Sequence, residues 1–137
     1  MKMPHSLRIF TLLFALLAAT GCQIQDVKYH YTEAMQAEGQ GKLADALKSY
    51  LEVLKLNERH FTALCNTANI YLLQKQYPNA KKYYIRALLE RTNHAPGYYG
   101  LGLVYLELKD PPRAQESFRR AVRFAPDLIP AWVMHGW

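Results

Sequence analysis

Few residues in this chain have the type and spacing that catalysis requires. Its two cysteines, Cys22 and Cys65, stand far apart, and neither a C-x-x-C nor an H-E-x-x-H occurs, so the dithiol and zinc-protease patterns are both missing. His60 and His94 occupy loop positions without a ligand four residues on; their separation marks them as copies of one another rather than a metal pair. Ser49 and Ser117 fall mid-helix with no adjacent base, and no strand leads into a glycine turn that could cradle phosphate. This inventory predicts no enzyme, no metal and no cofactor. What remains is suited to recognition. Tyr99, Leu103 and Leu106, at i, i+4, i+7, form an apolar stripe, and Asn66 and Asn69 offer amides that can hydrogen-bond a backbone.

Those side chains need helices to hold them, and the spacing supplies helices. Tyr98, Leu101, Gly102 and Tyr105 share one helical face; after Asp110-Pro111-Pro112, so do Ala114, Phe118, Ala121 and Ala125, closed by Pro126. A glycine inside a helix costs about 1 kcal/mol against alanine, so Gly102 implies close approach, to Ala121 and the ring of Phe118. Shifting by 34 residues places Leu64, Ala68, Tyr71, Ala80, Tyr84 and Ala87 under Tyr98, Gly102, Tyr105, Ala114, Phe118 and Ala121, with Pro78 under Pro112. A further shift reaches Ala34, Ala46, Tyr50 and Val53, where His30 and Glu33 weaken the match, as suits a unit with one face toward water. The paired aromatics Tyr83-Tyr84 and Tyr98-Tyr99 read as one buried and one outward member each.

This pattern resembles the tetratricopeptide repeat, W-x2-L-G-x2-Y, A-x3-F, P, with Tyr98 in place of the tryptophan. The resemblance implies an all-α solenoid of three helix-turn-helix units, 27–60, 61–94 and 95–128. Residues 129–137 then begin a fourth unit or a partial cap: Ile129-Pro130-Ala131-Trp132 repeats the register of Ala95-Pro96-Gly97-Tyr98. Such an array ends uncapped, with Trp132 as a partial lid and apolar surface that favours self-association. It also implies a concave groove for a peptide or partner helix, lined by Tyr31, Met35, Asn66, Asn69, Leu73, Tyr99, Leu103 and Leu106. The lysines with which some members of that family clamp a C-terminal carboxylate are missing.

Ahead of the repeats, Met1 to Arg8 is short and basic, and Ile9 to Ala19 is an apolar run shorter than the roughly 20 residues a bilayer needs. Residues 1–21 therefore read as a signal peptide. Ala19-Thr20-Gly21-Cys22 resembles the lipobox of bacterial lipoproteins, which implies a lipid on Cys22; Gln23, not Asp, then implies the outer membrane. Ordinary signal peptidase cleavage, with Cys22 unmodified, is the alternative. Acylation of Cys22 leaves Cys65 as a lone buried thiol, whereas a free Cys22 would permit a disulfide in an oxidising envelope. Gln23 to Asp26 form a linker of about 15 Å if extended, keeping the repeats close to the membrane.

Removing Lys2 and Arg8 from 17 cations leaves 15 against 11 acids, a net of +4. The excess lies on the second helices, in Lys81, Lys82 and Arg86 and in Arg119, Arg120 and Arg123. This is an ordinary solvated face or a contact with anionic lipid or glycan; an exported chain does not meet nucleic acid. Fold and anchor together are similar to the tetratricopeptide lipoproteins of type IV and tight-adherence pili, pilotins included. A scaffold for envelope proteins is the expected function, the alternatives being a regulator that docks cell-wall enzymes and a structural lipoprotein.

Overall fold

Proline, histidine and aspartate decide where the later helices begin. The computed structural model describes residues 5–128, which form α1 (His5–Gly39), α2 (Leu43–Leu56), α3 (Phe61–Leu73), α4 (Tyr77–Glu90), α5 (Ala95–Glu107), α6 (Pro111–Phe124) and a closing 3-10 turn at Pro126–Leu128. Pro78, Pro96, Pro111 and Pro112 all lie in a first turn, where the missing N–H wastes no bond. Asp110 caps α6 by accepting from the backbone N–H of Arg113 at 3.2 Å. His60 and His94 cap α3 and α5: each Nδ1 accepts from the N–H three residues on, Ala63 at 3.2 Å and Gly97 at 3.0 Å. The duplicated histidines are therefore helix caps.

The first helix of each unit ends in the same way. Residues 41, 75 and 109 take positive φ, and the next N–H reaches back to a carbonyl one turn inside the helix: Lys42 to Ala37, Gln76 to Tyr71 and Asp110 to Tyr105, at 2.8–2.9 Å. Gly41 adopts this conformation freely, whereas Lys75 and Lys109, at φ 59°, hold it against Cβ strain.

The helices pack as consecutive antiparallel pairs, α1 with α2, α3 with α4 and α5 with α6, and each pair stacks on the next. The seam follows the 34-residue register. Ala46, Ala80 and Ala114 are fully buried, as are Val53, Ala87 and Ala121; Tyr50, Tyr84 and Phe118 fill the space between them at 0–2% exposure. A Cβ on Gly102 would sit 2.5 Å from Cε1 of Phe118, so the ring does occupy the space the glycine leaves, while Ala121 is not among the nearest atoms. Among the described residues the chain is an all-α array of six helices in three pairs. Trp132 and the rest of 129–137 lie outside them.

One expectation about the N-terminal segment changes. The stretch 22–26 is not an extended linker: nothing in Gln23-Ile24-Gln25-Asp26 breaks a helix, so α1 runs through it, and Gln23 Nε2 donates to the Leu56 carbonyl at 2.9 Å. At roughly 1.5 Å per helical residue these four residues span about 6 Å, less than half the extended figure. Arg8–Gly39 lies in one helix that is long and apolar enough by composition to cross a membrane, a test that a signal sequence near an N-terminus also passes. Its apolar side chains, Phe10, Phe14 and Leu17 among them, are exposed.

Candidate functional site

Two buried tyrosines connect the core to the predicted groove. Tyr50 and Tyr84, one repeat apart on the second helices, point between first helices, and their hydroxyls emerge at the asparagines of α3. Tyr50 Oη donates to Glu38 Oε2 at 2.7 Å and accepts from Asn66 Nδ2 at 2.8 Å. Tyr84 Oη donates to Asn69 Oδ1 at 2.6 Å. Burial, and for Tyr50 the bond to Glu38, pushes both phenols well above their ordinary range, so both remain neutral donors.

The consequence is an orientation for each amide. Asn66 spends a donor on Tyr50 and keeps its carbonyl oxygen as an acceptor; Asn69 spends its carbonyl on Tyr84 and keeps its NH2 as a donor. They lie three residues apart on one helical face. Tyr84 gains its path from Gly100, where any Cβ would collide with the phenol ring and its oxygen. Sequence reasoning missed Gly100 because its register partner is Asn66, so the 34-residue repeat gives no signal there.

The remaining groove candidates divide by exposure. Met35 and Leu73 stand in solvent at 53% and 67%. Tyr99, Leu103 and Leu106 are half-buried, packed against the core of the third unit, with Tyr99 5.7 Å from the Phe118 ring. The structure thus draws Tyr99 and Leu103 further inward than a stripe facing water requires, and leaves Leu73 further out. Tyr31 is also half-buried, its ring 5.8 Å from Tyr50 and 5.1 Å from His60. Met35, Asn69 and Leu103 are register equivalents, so they form one row across the three first helices. Of the paired aromatics, Tyr84 and Tyr98 are buried, while Tyr83 stacks on Tyr71 at 5.5 Å.

Neither cysteine is in a disulfide; Cys22 is exposed on α1 and Cys65 buried in α3. Burial pushes the Cys65 thiol up to about 11, which suits a packing residue. Outside the groove, an open polar notch of about 430 Å³ between α1 and α2 is lined by His30, Glu33, Lys42, Asp45 and Glu52. Polar lining at the first unit is what an array end in water requires.

An array of stacked antiparallel helix pairs with small residues at fixed register defines a helical-repeat protein. Residues 59–127 match the model of the tetratricopeptide repeat, and the chain belongs to that family. Its relatives include the photosystem I assembly protein Ycf3 of Synechococcus sp. (strain CC9605), 29% identical over 96 residues, covering 68% of this chain and 56% of that protein. BBSome complex member BBS4 of Bos taurus is 31% identical over 87 residues, 64% of this chain and 17% of its own. The chain thus spans between about a twentieth and just over half the length of the curated relatives it matches. Among solved structures, the Arabidopsis OM64 TPR domain superposes with a TM-score of 0.71 at 22% identity, covering 76% of this chain and 86% of that one. The first TPR of Spaghetti (RPAP3), bound to an HSP90 peptide, gives 0.71 at 17%, covering 75% and 82%. YrrB, a TPR protein described as having an unusual peptide-binding site, gives 0.66 at 27%, covering 71% and 50%.

Proposed function

We propose that this chain is a scaffold that binds an extended segment of a partner protein along its first helices while its N-terminus holds it at a membrane. The observation that carries this reading is the pair Asn66 and Asn69, fixed by Tyr50 and Tyr84 so that one presents an acceptor and its neighbour a donor. A peptide backbone offers the complementary N–H and C=O, and exposed Met35 and Leu73 beside them supply apolar contact. Two proteins that share the fold, the first TPR of RPAP3 with its HSP90 peptide and YrrB with an unusual peptide-binding site, support peptide binding as a use of this fold.

Tethering rests on the apolar length of α1 and on Cys22, whether through a lipid on Cys22 after cleavage or through the uncut helix. A lipid there, with Gln23 following, would place the module at the periplasmic face of the outer membrane. The envelope partner would then belong to an assembling pilus or secretion complex, with docking of cell-wall enzymes the competing role.

A peptide array probed with the full chain tests the binding surface. Asn66→Ala with Asn69→Ala should abolish capture of whatever peptides bind, with far-UV helicity unchanged. If capture survives that pair but disappears when Lys81, Lys82 and Arg86 are neutralised, the basic side of the second helices is the working surface and the reading is wrong. Intact mass and palmitate labelling decide the anchor: a Cys22→Ser chain that still carries label would exclude lipidation there.

A further inference from the structure

The same notch recurs in the second and third repeats at one edge of the array, and its chemistry differs between the two. In the second unit it measures about 280 Å³ and is lined by Glu58, Arg59, Leu64, Arg86, Leu89 and Glu90. Both of its arginines are engaged internally: Arg59 Nε pairs with Glu90 at 2.9 Å, and Arg86 donates to the Glu58 backbone carbonyl at 2.9 Å. In the third unit it measures about 410 Å³, and the register replaces Glu58 by Thr92, Glu90 by Phe124, Leu89 by Arg123 and Ile85 by Arg119. Both of those acids are gone and Arg59 becomes Asn93, while Glu116 stands where the second unit has Lys82, so the lining passes from two arginines and two acids to three arginines and one acid.

Three guanidinium groups, of Arg119, Arg120 and Arg123, then share one carboxylate. Glu116 holds Arg119 at 2.7 Å and Arg120 at 2.9 Å, and these cations keep its carboxyl below the usual range. Arg120 is also held over the Tyr98 ring, 5.6 Å from its centroid, and Tyr98 stacks on Phe124 at 5.8 Å. Arg123 has no acidic partner among the described residues. The notch is thus a preset cationic socket on an aromatic floor. The equivalent notch of the second unit stays open although the third unit is stacked on that unit, so stacking does not by itself close it.

The helix directions decide what the socket faces. Antiparallel packing brings the α2, α4 and α6 C-termini and the α3 and α5 N-termini to one edge, and the Gln23 bond to Leu56 puts the α1 tether at that same edge. We infer that the notch formed by Arg119, Arg120, Arg123, Tyr98 and Phe124 binds the phosphate of an anionic lipid headgroup in the membrane to which the chain is tethered. Guanidinium forks match phosphate oxygens, and an edge held beside the bilayer meets headgroups at high local concentration. This rests on the tether proposed above and adds a second contact that fixes which edge of the solenoid faces the lipid.

The full chain is incorporated into nanodiscs of phosphatidylcholine, alone or mixed with phosphatidylglycerol, doped with a lipid carrying a gadolinium chelate on its headgroup. Amide broadening is read at Thr92 and Asn93 on the tethered edge and at Lys75 and Lys109 on the far edge. The expected result is broadening confined to the tethered edge, stronger with phosphatidylglycerol and lost at high salt. It should also be lost in Arg119→Gln with Arg123→Gln, which leaves Arg120 on Glu116 and Tyr98. Equal broadening with and without phosphatidylglycerol, or its persistence in the double variant, overturns the site. If inorganic phosphate shifts the arginine signals but leaves disc contact unchanged, the ligand is a free anion and the headgroup assignment is wrong. A chain that does not co-purify with discs refutes the tether and this site with it, whereas co-purification without a lipid-dependent difference refutes the notch alone.

Discussion

Gly100→Ala sets two known effects against each other, and the structure decides the sign. In an isolated helix the change stabilises by about 1 kcal/mol, because alanine loses less backbone entropy than glycine. Here the new methyl would collide with the ring and hydroxyl of Tyr84, which is only 2% exposed and cannot swing into water. Overpacking of this kind costs about 1–3 kcal/mol, and displacing the hydroxyl from Asn69 adds about 1 kcal/mol. The expected net is a loss of about 1–3 kcal/mol, seen as a lower urea midpoint at constant slope. Tyr84→Leu removes the obstructing ring at its own cost, and in that background Gly100→Ala should turn stabilising. The two single variants and the double variant close a cycle whose coupling term isolates the clash. A Gly100→Ala chain that is more stable than the parent would refute the reasoning, and with it the claim that Tyr84 is what orients Asn69.

Two further outcomes follow from the helix ends. Lys109→Gly should stabilise by about 0.5–1 kcal/mol, because residue 109 sits at φ 59° where a Cβ is strained, and a thermal melt reads it directly; an unchanged melting temperature would mean that the left-handed cap is not populated. His94 is pushed below its ordinary 6.5, first by burial and then by Arg91, and its Nδ1 must be unprotonated to accept from Gly97. The unfolded chain therefore binds this proton more readily, so the cap's contribution is whole above pH 6.5 and is lost as pH falls through the lower folded value. Replacing His94 by Asn, a cap without that proton equilibrium, should flatten stability between pH 7 and 5, roughly the histidine range.

The seam was legible because it repeats. Ala46, Ala80 and Ala114, or Tyr50, Tyr84 and Phe118, are each buried at the same turn of the same helix, and a 34-residue shift exposes such positions whatever the loops do. What stayed hidden is what the units do not share or what residue type disguises. Gly100 answers to Asn66, so no register flags it. Histidine is not a usual cap and lysine not a usual left-handed residue, so His60 and His94 read as ordinary loop residues and nothing singled out Lys75 and Lys109. The groove was harder still. Periodicity tells which side of α5 carries Tyr99 and Leu103, but it does not tell how far Phe118 and its neighbours draw them inward. At the N-terminus, a processing signal at Cys22 suggested a break in structure, while no residue near it stops a helix, and α1 continues.

One position on the second helices also explains why the candidate groove changes character along its length. Tyr50 and Tyr84 carry hydroxyls, and each must find a partner where it leaves the core; asparagine at 66 and 69 supplies it, so the α3 segment of the groove is polar and rigid. Phe118 occupies the same place in the third unit without a hydroxyl, and nothing then requires an amide above it. Leu103 stands in register where Asn69 does, and the surface there turns apolar, while Gly100, the register partner of Asn66, lies against the Tyr84 ring. The apolar position at Leu103 on α5, next to the paired amides of α3, therefore goes with the oxygen atom that Tyr84 has and Phe118 lacks. A segment bound there would be gripped by its main chain at one end and by an apolar side chain at the other.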